Sequence, residues 1–75
     1  MPKLRDISGR RLVKIFEGFG FEIVGQKGSH IKMTKGDKTL VIPNHSSIAK
    51  GTLKEIYNQA LMFIPKNELK RIFYT

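Results

Sequence analysis

Two histidines are the residues of this chain that are best suited to moving protons. The 75 residues contain His30 and His45 as the only histidines, and they contain no cysteine. Imidazole gains and loses a proton near neutral pH and therefore suits general acid–base work on a phosphodiester. The chain has no thiolates and no carboxylate cluster close to either histidine in the sequence, so it lacks the ligand spacings of a metal site. We therefore predict acid–base chemistry without a bound metal or cofactor.

The predicted strand pairing brings the two histidines together. A hairpin that turns at residues 36–37 pairs Ile31 with Ile42, and the match of two apolar side chains supports this register. His30 then lies on the opposite, polar face of the sheet. His45 becomes its diagonal neighbour, about 7–8 Å away, if the chain stays extended. Two imidazoles at that separation could flank a phosphate group.

A histidine on a polar strand face is often an ordinary solvated side chain, and that interpretation stays open for His30. Its neighbours favour a function. Ser29 precedes it after a glycine, and Lys32 lies two residues further along, on the same strand face. A lysine in that place could bind the phosphate on which an imidazole acts. We therefore take Ser29 and Lys32 as candidate RNA-binding residues around His30.

The charge balance indicates an anionic partner. Fourteen Lys and Arg against six Asp and Glu give a formal net charge of +8. In a small domain such an excess is typical of phosphate binding and hence of nucleic acid, although it could also serve only solubility. Free amides at the starts of helices attract anions, so basic residues there are candidate phosphate ligands, or else solvated side chains. These residues are Arg10, Arg11, Lys50 and Lys54.

Helices that could position these residues are predicted from apolar side chains at helical spacing. We predict the first helix over residues 9–19, with Ser8 as its N-cap and Gly20 as a left-handed C-terminal cap. The second helix is predicted to begin at Thr52, which would form a capping box with Glu55. A shorter amphipathic helix is predicted at the C-terminus.

Three strands of alternating apolar and polar residues lie between the two longer helices. We predict strands over residues 21–27, 29–34 and 39–42. Phe21 and Ile23 would form the apolar face of the first strand. The order α-β-β-β-α predicts an α+β domain of two layers, in which helices cover one face of a three-stranded antiparallel sheet. The other face is left open for a ligand.

The length and composition limit the organisation of the chain. So short a chain buries only about 60% of the surface that its unfolded form exposes, so we treat residues 1–75 as one domain, with residues 65–75 as an extra helix. Small secreted domains usually need disulfides, so the absence of cysteine predicts a cytoplasmic location. The longest apolar run, residues 60–64, is far below the roughly 20 residues of a membrane span, and we expect no membrane partner.

Three short motifs occur in the order and spacing of a known family. They are Gly28-Ser29-His30, then Val41-Ile42-Pro43-Asn44-His45, then Lys50-Gly51-Thr52-Leu53. With them the chain resembles, over roughly residues 4–64, the HicA-type toxins, which are the RNA-cleaving half of HicA–HicB toxin–antitoxin modules. Each motif alone is weak, and their combined order and spacing make the resemblance specific.

The resemblance implies a fold like that of the double-stranded-RNA-binding domain. It also implies cleavage of mRNA without the ribosome, with His30 as the catalytic residue, and neutralisation by a HicB-type antitoxin. Many family members have a second histidine directly after the first. This chain has Ile31 there, which the predicted register places in the core. Residues 65–75 extend beyond the usual end of the family.

We therefore expect a metal-independent endoribonuclease, an mRNA interferase that inhibits translation and growth. His30 would take the proton from a ribose 2′-hydroxyl, His45 would protonate the leaving 5′-oxygen, and Lys32 would stabilise the charge on the phosphorane. A non-catalytic module that binds double-stranded RNA by shape is the alternative. A DNA-binding adaptor would need a recognition helix, which the predicted elements do not offer, so no direct DNA binding is expected.

Overall fold

The computed structural model describes residues 2–75 as an α+β arrangement of three helices and a three-stranded antiparallel sheet, in agreement with the predicted fold class. No helix of these residues is long and apolar enough to cross a membrane. The elements in chain order are α1 Gly9–Gly18, β1 Glu22–Lys27, β2 His30–Lys35, β3 Lys38–Pro43, α2 Lys50–Ala60 and α3 Lys66–Phe73.

Helix α1 begins and ends as its sequence predicts. The Ser8 hydroxyl accepts a hydrogen bond from the backbone N–H of Arg11 at 3.1 Å, which satisfies one of the free amides of the first turn. Ile7, before the cap, and Leu12, at the fourth helical position, are both buried and have the spacing of a hydrophobic staple. Gly20 follows the helix with φ +97°, a conformation that favours glycine.

The sheet has the predicted register between its second and third strands. Strand β2 is central, with β1 and β3 antiparallel on either side. Ile31 lies opposite Ile42, and Met33 lies opposite Leu40. These four side chains are buried and form the sheet side of the core, against which α1 and α2 pack along β3. The alternate residues of β2 therefore lie on the face that no helix covers.

Strand β1 differs from the prediction. Phe21 is buried, and Ile23 lies on the predicted apolar face, opposite the buried Met33, but is 49% exposed. Two causes are visible. The helices lie over β3 at the other edge of the sheet, and the register shifts between Ile23 and Gly25, which leaves Val24 as an extra residue. Val24 is itself 56% exposed.

Helix α2 starts earlier than predicted. Its N-cap is Ala49, which has no side-chain cap, and Thr52 already lies inside the first turn, so the predicted capping box is wrong. The preceding residue explains the start. Ile48 is buried and its N–H donates to the carbonyl of Ile7 at 3.0 Å, which fixes the chain directly before the helix.

Helix α3 confirms the extra C-terminal helix. Leu69 and Phe73 bury their side chains in the core, and the Phe73 ring lies 5.3 Å from the ring of Tyr57 between centroids. After the helix, Tyr74 forms an isolated antiparallel bridge with Leu4. The two ends of the chain are therefore joined to each other and packed on the same domain.

Candidate active site

The structure places His30 and His45 on the same cavity. This open cavity has a volume of about 230 Å³ and lies where the end of β3 and the start of α2 meet the first residue of β2. Both histidines are exposed. The lining residues are His30, Val41, Pro43, His45, Ile48, Ala49 and Thr52.

His30 is held by the backbone on both sides. It begins β2 directly after the turn at Gly28, which has φ +59°, and it lies opposite Lys27 of β1 and Pro43 of β3. The carbonyl of Ser29 accepts a hydrogen bond from the N–H of Asn44. The start of β2 is thus tied to the segment that carries the second histidine.

His45 is positioned by helix α1. Its carbonyl accepts a hydrogen bond from the N–H of Gly9 at 2.9 Å, so the segment after β3 is fixed to the first turn of that helix. Pro43, where β3 ends, is buried. His30 and His45 line one cavity, while their diagonal relation across β2 and β3 stays a prediction.

Gly9 is a positioning residue that the sequence analysis did not identify. A Cβ atom at this position would lie 2.0 Å from the carbonyl oxygen of Pro43 and 2.9 Å from the Cα of Asn44. No side chain can therefore be placed here unless the segment that leads to His45 moves. A glycine at the first position of a helix, one residue after a serine cap, is the only sequence signal of this contact.

The open face of the sheet carries basic residues around His30. Lys27 lies directly opposite His30, and Lys32 follows it on the same face of β2. Val41 lies opposite Lys32 and is 45% exposed, so the face combines two ammonium groups with an apolar side chain. The sequence alone does not single out Lys27. Its position beside His30 follows only from the pairing of β1 with β2.

The other candidate RNA-binding residues lie at different distances from the cavity. Arg10 lines a groove that also includes Asn44, the neighbour of His45. Arg11 points to a second groove on the other side of α1. The Lys50 ammonium is engaged within the domain, with the Asp6 carboxylate at 2.7 Å and the Leu4 carbonyl at 3.2 Å. Lys54 is exposed on α2 and does not line the histidine cavity.

A family model described as HicA toxin of bacterial toxin–antitoxin systems matches residues 9–62, from the start of α1 to just beyond the end of α2. The match covers most of the chain and includes both histidines. This chain belongs to the HicA toxin family. Its members are toxins of toxin–antitoxin modules, so the partner of this HicA chain is a cognate antitoxin. No curated protein and no solved structure gives a significant match.

The polar groups around the HicA cavity are open to solvent. Among residues 2–75 no buried charged or polar residue is found, and no three His, Cys, Asp or Glu side chains gather in a group that could hold a metal ion. The groups near the cavity that can carry out chemistry are thus the two imidazoles, the hydroxyl of Thr52 and the ammonium groups of the open face. These groups can transfer protons and bind phosphate.

Proposed function

We propose that this HicA toxin is a metal-independent endoribonuclease that cleaves mRNA without the ribosome and thereby inhibits translation and growth in the cytoplasm. The observation that carries the proposal is the shared cavity of His30 and His45, at the border of a basic, open sheet face. Two imidazoles beside one phosphate can act as base and acid in the same reaction. Membership of a toxin family supplies the reason for an activity that stops growth.

The proposed reaction uses the RNA's own 2′-hydroxyl as the nucleophile. His30 takes the proton of that hydroxyl, and the oxygen forms a new bond to the adjacent phosphorus. His45 gives a proton to the 5′-oxygen as the bond from phosphorus to that oxygen breaks. The products are a 2′,3′-cyclic phosphate and a free 5′-hydroxyl. Lys32 stabilises the negative charge that develops on the phosphorane oxygens.

RNA binding in this proposal relies on the surface around the cavity. Ser29 and Lys32 lie beside His30, Arg10 extends the basic surface along α1, and Lys54 extends it along α2. Arg11 and Lys50 do not line the histidine cavity and are weaker candidates for contact with the phosphate that is cleaved. The order of elements from α1 to α2 is the one that the resemblance to HicA toxins implies, that of a double-stranded-RNA-binding domain, and such domains recognise shape and 2′-hydroxyls.

Incubation of the purified toxin with naked RNA in excess chelator tests the proposal. We expect cleavage to persist, to leave cyclic phosphate ends, and to spare DNA of the same sequence because DNA lacks the nucleophile. Loss of cleavage in chelator, restored by magnesium, would contradict the mechanism. Tight RNA binding without any cleavage would instead support the non-catalytic binding module.

The antitoxin is proposed to be of the HicB type and to cover the open sheet face. Lys27 and Lys32 make that face basic, while Val24 and Val41 add exposed apolar area. A partner that places carboxylates and apolar side chains over this face would exclude RNA from His30 sterically. Opposite charges would mainly accelerate the association of the two proteins.

A further inference from the structure

A second basic surface lies on the side of the domain formed by the two chain ends. It is a groove of about 760 Å³ between the N-terminal segment, α1 and α3, and we call it the terminal groove. Its apolar lining includes Ile15 of α1 and Ile72 of α3. Its cationic lining consists of Lys3, Arg5, Arg11 and Arg71.

The walls of the terminal groove are fixed by backbone hydrogen bonds. The N–H of Arg5 donates to the carbonyl of Phe73 at 2.7 Å, and the N–H of Thr75 donates to the carbonyl of Lys3 at 2.9 Å. The Arg5 guanidinium also donates through Nε to the carbonyl of Tyr74 at 3.0 Å. Two of the three walls therefore lie outside residues 9–62, the segment that matches the HicA family model. Most of the groove is therefore built by residues outside the matched segment.

The cations of the terminal groove are not neutralised within the domain. The one acidic side chain in its lining is Asp6, which is already paired with Lys50 at 2.7 Å. That pair is the only salt bridge among residues 2–75, so the four cationic side chains of the groove lack a carboxylate partner there. Clustered like charges destabilise the compact state by repulsion, and an anionic ligand would relieve it.

Two further grooves along α1 link the terminal groove to the segment that carries His45. Arg11 lines both the terminal groove and a neighbouring groove that includes Arg10 and Lys14. Arg10 and Lys14 also line the next groove, which includes Asn44, the residue before His45. Basic side chains thus follow one another from α3 along α1 towards the segment that carries His45. The last of these grooves is also lined by Glu17, and it shares no lining residue with the histidine cavity.

We propose that the terminal groove binds the phosphate backbone of the RNA that flanks the cleavage site. The proposal rests on the proposed function, because it takes the histidine cavity as the place of cleavage. A track of separate cations fits a polymer with a phosphate at every nucleotide, and such contacts are independent of base sequence. The groove would strengthen the binding of long RNA and leave the chemical step unchanged.

The test compares two variants that remove the same charge from exposed positions. The groove variant is Lys3→Gln with Arg71→Gln, and the control variant is Lys38→Gln with Lys66→Gln. The control lysines lie outside the terminal groove, the two grooves along α1 and the histidine cavity. Both sets are made in the His30→Ala background, and binding of polyuridine is measured at several salt concentrations. Circular dichroism verifies that each of the two variants keeps its fold.

We expect the groove variant to bind polyuridine about tenfold more weakly, with a salt slope smaller by about 1.4, because each phosphate contact to a single strand contributes about 0.7. The control variant should change far less. With His30 restored, a short oligonucleotide that spans only the mapped cut site should be cleaved at the same kcat and KM by both variants, whereas the KM for a long transcript should rise only in the groove variant.

Three outcomes would overturn the proposal. Equal weakening in both variants would show that only net charge acts. Unchanged RNA binding together with weakened antitoxin binding in the groove variant would assign the groove to a protein partner. A groove variant that binds polyuridine as its parent does would leave the groove without a role in RNA binding. A toxin with His30 intact that binds RNA through the groove but never cleaves it would instead refute the proposed reaction alone.

Discussion

His30 reaches solvent because of the alternation along β2. Ile31 and Met33 point into the core, so His30 and Lys32, which alternate with them along the strand, point to the uncovered face. Ile31, directly after His30, is buried as the register predicts. The exposed polar face of β2 therefore carries one imidazole, that of His30. The second imidazole must come from the segment after β3.

Replacement of His30 by Ala should abolish detectable cleavage of RNA. General acid–base catalysis contributes about 10²–10⁴ to a rate, and an exposed side chain can be removed without a cavity in the core. The measurement is the rate of transcript cleavage, together with growth after expression of the variant. Thr34→Ala on the same strand face is the matched control and should retain activity. A folded His30→Ala protein that cuts at nearly the wild-type rate contradicts the assignment.

The roles of the two histidines can be separated by comparing two substrates, of which only one has a leaving group that needs a proton. If His45 protonates the leaving oxygen, His45→Ala should cleave RNA slowly but act almost normally on a uridine 3′-phosphodiester of 4-nitrophenol, whose leaving group departs without a proton. His30→Ala should be slow on both substrates. Equal losses of the His45→Ala variant on both substrates would mean that His45 is not the acid.

Helix α1 acts as the element that positions the site. Its first turn carries the Ser8 cap and the Gly9 contact with the end of β3, and the Gly9 N–H holds the carbonyl of His45. The helix therefore links the core, through its buried residues, to the segment that brings the second histidine to the cavity.

Two glycine substitutions in α1 test this positioning role. Gly9→Ala should lower the free energy of unfolding by about 1–3 kcal/mol and reduce cleavage, because its Cβ would meet the Pro43 carbonyl at 2.0 Å. Gly18→Ala, in the same helix with nothing within 4 Å of its Cβ, should stabilise the protein by about 0.5–1 kcal/mol and leave cleavage unchanged. Chemical denaturation and the cleavage assay measure both effects. Equal behaviour of the two variants would refute the close contact at Gly9.

The sequence predicts those elements in which local and tertiary preferences agree. The limits of α1, the register of Ile31 with Ile42, and the C-terminal helix follow from periodicity and caps. The start of α2 does not, because the bond from Ile48 to Ile7 decides it and no local pattern encodes that bond. Likewise, the exposure of Ile23 depends on where the helices lie over the sheet.

The candidate site, like the fold, can be predicted only in part from the sequence. The histidine pair follows from strand register, whereas the contact of Gly9 with the end of β3 and the pairing of Lys27 with His30 require the packed structure. The ion pair of Lys50 with Asp6 lies at the surface and joins residues far apart in the chain. It therefore could not be predicted from the position of Lys50 at the start of α2.

At the scale of the whole molecule, the net charge of +8 links RNA binding and antitoxin binding. If the antitoxin covers the open face, RNA and antitoxin should compete for the toxin, and their association should slow markedly as salt rises. Competition with His30→Ala toxin, which can bind RNA without cutting it, measures this. Lys32→Glu should weaken the binding of both ligands. Simultaneous binding of RNA and antitoxin at full affinity would contradict occlusion of the open face.

The central claim is that an imidazole at the open sheet face activates the RNA's own 2′-hydroxyl. The most direct measurement uses an RNA whose single mapped cut site carries a 2′-deoxyribose in place of the ribose, with the unmodified RNA beside it and chelator present throughout. We predict that the toxin cuts the unmodified RNA to a 2′,3′-cyclic phosphate and leaves the modified position intact while still binding that RNA with unchanged affinity. Cleavage at the deoxyribose position at a comparable rate would contradict the account.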